Sequence, residues 1–119
     1  MDNKGYRDLK VWARAMELAE EIYRLTDLLP DGERYGLVTQ MQRSAVSIPS
    51  NIAEGHSRSH AGDFLKHLSY ARGSLAELET QLTLAVRTGR LPREEAVTAW
   101  DYCQDVGRVL TQLIKKPGR

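Results

Sequence analysis

The sequence predicts an all-α protein folded as an antiparallel up-down-up-down four-helix bundle. Three observations support this. Apolar residues recur at three- and four-residue intervals in four separate blocks, the spacing of amphipathic helices. The segments between blocks are short and rich in Pro and Gly, which favours antiparallel neighbours. No stretch shows the alternation of a half-buried strand.

The first helix, about residues 8–29, carries the stripe Leu9, Trp12, Met16, Ala19, Tyr23, Thr26, with Asp8 as its N-cap. A second apolar run, Ala15, Leu18, Ile22, Leu25 and Leu29, lies beside it, so this helix has more apolar surface than one seam needs. Leu29-Pro30-Asp31-Gly32 ends it with turn chemistry. The second helix, about 33–55, is built on Leu37, Met41, Ala45, Ile48 and Ile52 and stops at Gly55. The third, about 60–88, has the cleanest stripe: Phe64, Leu68, Ala71, Leu75, Leu78, Leu82 and Ala85, ending at Gly89. The fourth, about 92–116, opens on Pro92 with Glu94 and Glu95 in its first turn. Its core line is Ala96, Ala99, Cys103, Val106, Leu110 and Leu113. Val97, Trp100, Gly107 and Ile114 lie beside that line, and Gly107 allows close approach of another backbone. Lys115 and Lys116 suit the C-terminal end of the helix dipole before Pro117-Gly118 breaks the helix.

A chain of 119 residues is a natural single domain. The one cysteine, Cys103, excludes an internal disulfide framework and falls in an apolar register, as a buried, inert thiol in a reducing cytoplasm. No apolar run approaches a membrane span of ~20 residues, and MDNKGYRDLK lacks the apolar segment of a signal peptide. A cytoplasmic protein without membrane contact is expected.

Net charge is +1, but the charges fall in alternating blocks. Residues 1–33 hold five Lys/Arg against eight Asp/Glu, and residues 34–72 five against two. Residues 73–105 then hold three against six, and residues 106–119 four against none. Arg34, Arg43, Arg58, Lys66 and Arg72, with Arg108, Lys115, Lys116 and Arg119 as a second group, are the candidate contacts for RNA or DNA phosphates. Few aromatics flank them, so base stacking would be minor.

The stretch from Arg43 to Gly55 breaks the rules of a regular helix. Pro49 sits inside it, at a cost of about 3 kcal/mol. Beside the apolar line runs a polar one, Gln40, Ser44, Ser47, Asn51 and Glu54, and the third helix repeats it with Tyr70, Ser74, Glu77 and Gln81. With a turn near Ser59, antiparallel pairing sets Ser44 near Ser74 and Met41 near Glu77. The two polar lines then either satisfy each other along one seam or border solvent.

QMQRSAVSIPSNIAEG (residues 40–55) followed by ARGSLAELETQL (71–82) resembles the 23S rRNA intervening-sequence protein family. The resemblance extends from Tyr6, Leu9, Val11 and Trp12 through YGLVTQ (35–40) to about Ile114. It implies a bundle that assembles as a ring-shaped pentamer. It also implies kinship with the accessory protein of diversity-generating retroelements, a basic pentamer that works with a reverse transcriptase and nucleic acid. The family has no established activity, and this chain departs from that relative in its near-neutral charge.

No catalytic set emerges. His60 and His67 are two turns apart, ~10 Å along a helix, too far to share a metal at ~2 Å, and His56 adjoins Gly55. No His follows a Glu at the spacing of a di-iron bundle, and phosphate-binding and nucleophile-elbow glycine patterns are absent. The sequence therefore points away from an enzyme, a cofactor or a metal. It points to a homo-oligomer with weak RNA or DNA binding, in company with a nucleic-acid-processing protein, or to an interaction scaffold without nucleic acid.

Overall fold

The computed structural model describes residues 5–115, and four helices make the bundle: α1 (Lys10–Thr26), α2 (Leu37–Ser57), α3 (Ala61–Arg87) and α4 (Val97–Lys115). Each packs on its neighbours in sequence and α1 closes against α4, giving a body of 46 × 26 × 22 Å. The α2–α3 pairing is the most extensive.

The ends of the helices show where local chemistry decided the boundary. α1 begins later than expected, after the 3-10 turn Gly5–Asp8, and its cap is Leu9 in extended backbone with no side-chain cap bond, not Asp8. It stops at Thr26, where the Leu28 and Leu29 amides bond back to the Leu25 and Thr26 carbonyls. A second 3-10 turn, Asp31–Glu33, takes up residues expected in α2, which starts only at Leu37. α3 ends as predicted. Gly89 takes φ +77°, its amide bonds to the Val86 carbonyl, and the Arg90 amide bonds to the Ala85 carbonyl. That double bond is the αL helix stop that favours glycine. Pro92 caps a 3-10 turn, Arg93–Ala96, that leads into α4. At this end of the bundle Arg90 Nε donates to Glu33 Oε2 at 2.6 Å, tying the two interhelical loops together.

The core confirms three stripes and corrects one. Met41, Ala45, Ile48 and Ile52 are buried, as are Leu68, Ala71, Leu75, Leu78, Leu82 and Ala85, and Ala96, Ala99, Cys103, Val106 and Leu110. On α1 the two apolar runs exchange roles. Ala15, Leu18, Ile22, Leu25 and Leu29 form the core with Val11, while Trp12 and Met16 are half-buried and Tyr23 is 47% exposed. Gly107 admits a side chain of the same chain. A Cβ there would stand 3.2 Å from Leu75 Cδ2.

α2 also corrects the reading of Gly55. The helix runs through it to Ser57, and Gly55 is buried at the crossing with α3. A Cβ at this position would lie 2.6 Å from His67 Cβ and 3.3 Å from Phe64 Cα. This glycine lets two backbones meet; it is not a stop signal.

Candidate functional site

The residues that break helical rules assemble at this crossing. Pro49 is buried inside α2 without ending it. Proline removes one helical N–H, and the backbone around it gains a side-chain donor: Asn51 Nδ2 donates to the Ser47 carbonyl at 2.9 Å and to Ser47 Oγ at 3.0 Å. Ser47 Oγ meets Ser74 Oγ of α3 at 2.8 Å, either hydroxyl supplying the proton. With the Asn51 amide spent as a donor, its Oδ1 faces His67 Nδ1 at 3.0 Å. That contact is a hydrogen bond only if Nδ1 carries the ring proton. The result is a chain, Ser74–Ser47–Asn51–His67, spanning the seam between α2 and α3.

The predicted seam thus forms over its middle and dissolves at both ends. Ser74 pairs with Ser47, one turn from the expected Ser44, which is buried on its own. Glu77 is exposed and has no buried partner, and Gln40 is exposed as well. Glu54 is exposed and bonds Arg58 at 2.6 Å. The Arg58 hydrogen bond, and after it the charge of His67, holds the Glu54 carboxyl below the usual carboxylate range. Gln81 is half-buried, and its Oε1 is enclosed without a partner. His67 is the member that sequence reasoning weighed only as a metal ligand. The antiparallel register that was expected to pair Ser44 with Ser74 also sets residue 51 opposite residue 67, so the signal was available.

The other two histidines stay apart from this chain. His56 stands edge-on to Phe64 at 5.5 Å, and His60 begins α3. Among the described residues no group of three His, Cys, Asp or Glu is placed to hold a metal. Burial, with the Glu79 charge second, pushes the Cys103 thiol up to about 12. A thiol at that value is almost wholly protonated near neutrality and is a poor nucleophile.

The basic residues do not form one patch. Arg34 lies before α2, stacked over Tyr35, and Arg58 follows its other end. The helix between them is about 30 Å long. Arg43 is exposed on α2, Lys66 and Arg72 are exposed on α3, and Arg108 and Lys115 are exposed on α4. Arg58 is held by Glu54, and Arg108 lies 3.6 Å from Asp105. Lys116 and Arg119 lie outside the described residues.

Exposed apolar side chains lie on more than one side of the bundle. Tyr23 of α1 and Val46 of α2 line one shallow depression with Thr39 and Arg43. Leu84 of α3, 53% exposed, lies beside Ala76 and Thr80. Among the described residues no helix is long and apolar enough to cross a membrane.

Comparison with known proteins agrees with this architecture. None of the curated proteins compared with the chain matches it. A crystal structure of a protein of unknown function from the S23 ribosomal protein family of Bacteroides thetaiotaomicron superposes with a TM-score of 0.82 at 27% identity. The match covers 89% of this chain and 99% of that one. The sequence pattern of the 23S rRNA-intervening sequence proteins matches residues 7–112. Through almost its whole length, then, this chain belongs to the 23S rRNA-intervening sequence protein family.

Proposed function

We propose that this chain is a non-catalytic subunit of a homo-oligomeric ring, and that the ring holds RNA or DNA weakly and without sequence preference. The observation that carries self-assembly is the pair of exposed apolar faces on different flanks, one on α1/α2 and one on α3. Exposed apolar patches of this kind mark contact surfaces. Two dissimilar faces generate head-to-tail contacts, which close into rings when the rotation allows. The number five rests on the family resemblance alone. Light scattering at micromolar concentration should give a multiple of 13.5 kDa; a monomer would overturn the reading.

Nucleic acid enters through repetition. Arg43, Lys66 and Arg72 are exposed and have no ion pair among the described residues. A ring would present them several times around one axis, raising the local potential of a near-neutral subunit. Binding of structured RNA should then weaken steeply between 50 and about 200 mM salt. Arg43→Glu should weaken it more than Arg58→Glu, because Glu54 already neutralises Arg58. Binding indifferent to salt and to Arg43 would refute this part. The ion pairs at Arg58 and Arg108 favour a second reading, a scaffold without nucleic acid that docks other proteins. Absence of RNA binding by the intact oligomer would select it.

A further inference from the structure

The outward line of α3 is unusual for a solvated helix. From Lys66 to Arg87 it runs through Tyr70, Gly73, Ala76, Thr80 and Leu84, all exposed, and the one charge beside it is Glu77. Solvated helix faces normally carry charged residues. Gly73 stands near the middle of the 27-residue helix. Glycine inside a helix is unfavourable, and the usual excuse is a neighbouring group too close for a side chain. Within this chain there is none, since a Cβ on Gly73 would meet nothing within 4 Å. Gly55 and Gly107 show the contrast: each of them is crowded by α3.

We infer that this face of α3 packs against the α1/α2 face of a second copy of the chain, with Gly73 as the point of closest approach. The inference rests on the self-assembly proposed above and names its two surfaces. The α1/α2 face offers what α3 lacks. Tyr23 and Val46 supply apolar area, and beside them Arg43 is a cation with no ion pair among the described residues. The α3 face supplies Leu84 and Tyr70 as apolar area and Glu77 as an anion that likewise has no ion pair. One face is thus apolar with a spare positive charge and the other is apolar with a spare negative charge. Joining them satisfies both and places unlike surfaces together, the condition for a head-to-tail contact.

Gly73→Gln is the decisive variant. Glutamine is a good helix former, so the isolated bundle should keep its helical circular dichroism and melt no lower. Its side chain nevertheless holds the partner away, so light scattering should fall from the wild-type oligomer to 13.5 kDa. Val46→Glu, on the opposite face, should do the same. An oligomer that survives Gly73→Gln overturns the assignment of α3 while self-assembly stands. Dissociation by Gly73→Gln but not by Val46→Glu overturns the pairing of these two faces. A monomeric wild type overturns self-assembly itself, and this inference with it.

Discussion

Substituting Gly55 by alanine tests the α2–α3 crossing most directly. The added methyl would sit 2.6 Å from His67 Cβ, whereas carbon atoms rest at about 3.5–4.0 Å. The helices must therefore part by about 1 Å, or His67 must leave its rotamer. Overpacking of this kind costs about 1–3 kcal/mol. Moving His67 also loosens its 3.0 Å bond to Asn51, worth about 1 kcal/mol. Against both stands the helix propensity of alanine over glycine, about 1 kcal/mol in favour of the mutant. The net expectation is a loss of about 1–3 kcal/mol. At roughly 4 °C per kcal/mol for a domain of this size, Tm should fall by about 4–12 °C. Thermal unfolding followed by circular dichroism, at matched protein concentration, measures it. Gly62→Ala is the control, because a Cβ there meets nothing within 4 Å; it should leave Tm unchanged or slightly higher. If Gly55→Ala is as stable as wild type, the helices do not cross this closely and the argument fails.

Asn51→Ala removes the bonds to Ser47 and His67 together and should cost about 1–3 kcal/mol. Glu77→Ala, at an exposed site, should leave the melting of the dissociated bundle within about 0.5 kcal/mol; equal losses in both would contradict the network. Cys103 should resist a thiol reagent at pH 8 in the folded protein and react fully in denaturant, because burial pushes its thiol up to about 12; rapid labelling of the native state would refute that. The lowered Glu54 carboxyl contributes stability above its ordinary pKa, and the contribution is lost as pH falls through the depressed value. In Arg58→Ala the NMR titration of Glu54 should move up toward the ordinary range, and an unchanged curve would show that the ion pair is not formed in solution.

What the sequence made legible follows the range of the forces involved. The α3 stripe was read correctly because one helix face carries nearly all of its large aliphatic side chains. Gly89 was read correctly because the αL stop is a local device, completed by the next residue's amide. α1 was misread because its two apolar runs lie about 100° apart. Only the direction of α2 and α4 decides which run faces inward. Gly55 and Gly89 are the same residue with opposite meanings, and at Gly55 the meaning comes from His67 on another helix. The basic residues looked like a group because they are close in sequence, but their positions on three helices and a loop separate them. His67 was findable, since pairing of Asn51 across an antiparallel turn points to it.

The unequal pairing of the helices has a kinetic consequence. α2 and α3 share the largest contact and are joined by the short segment 58–60, so closing that loop costs little chain entropy. α1 and α4 meet through residues as distant in sequence as Arg14 and Asp105, and their pairing must wait for the chain between them to be ordered. Refolding should therefore pass through a barrier at which the α2–α3 hairpin is already docked and the α1–α4 seam is still open. Truncations at Ile52 and Leu68 would then slow folding, whereas truncations at Val11 and Val106 would chiefly speed unfolding.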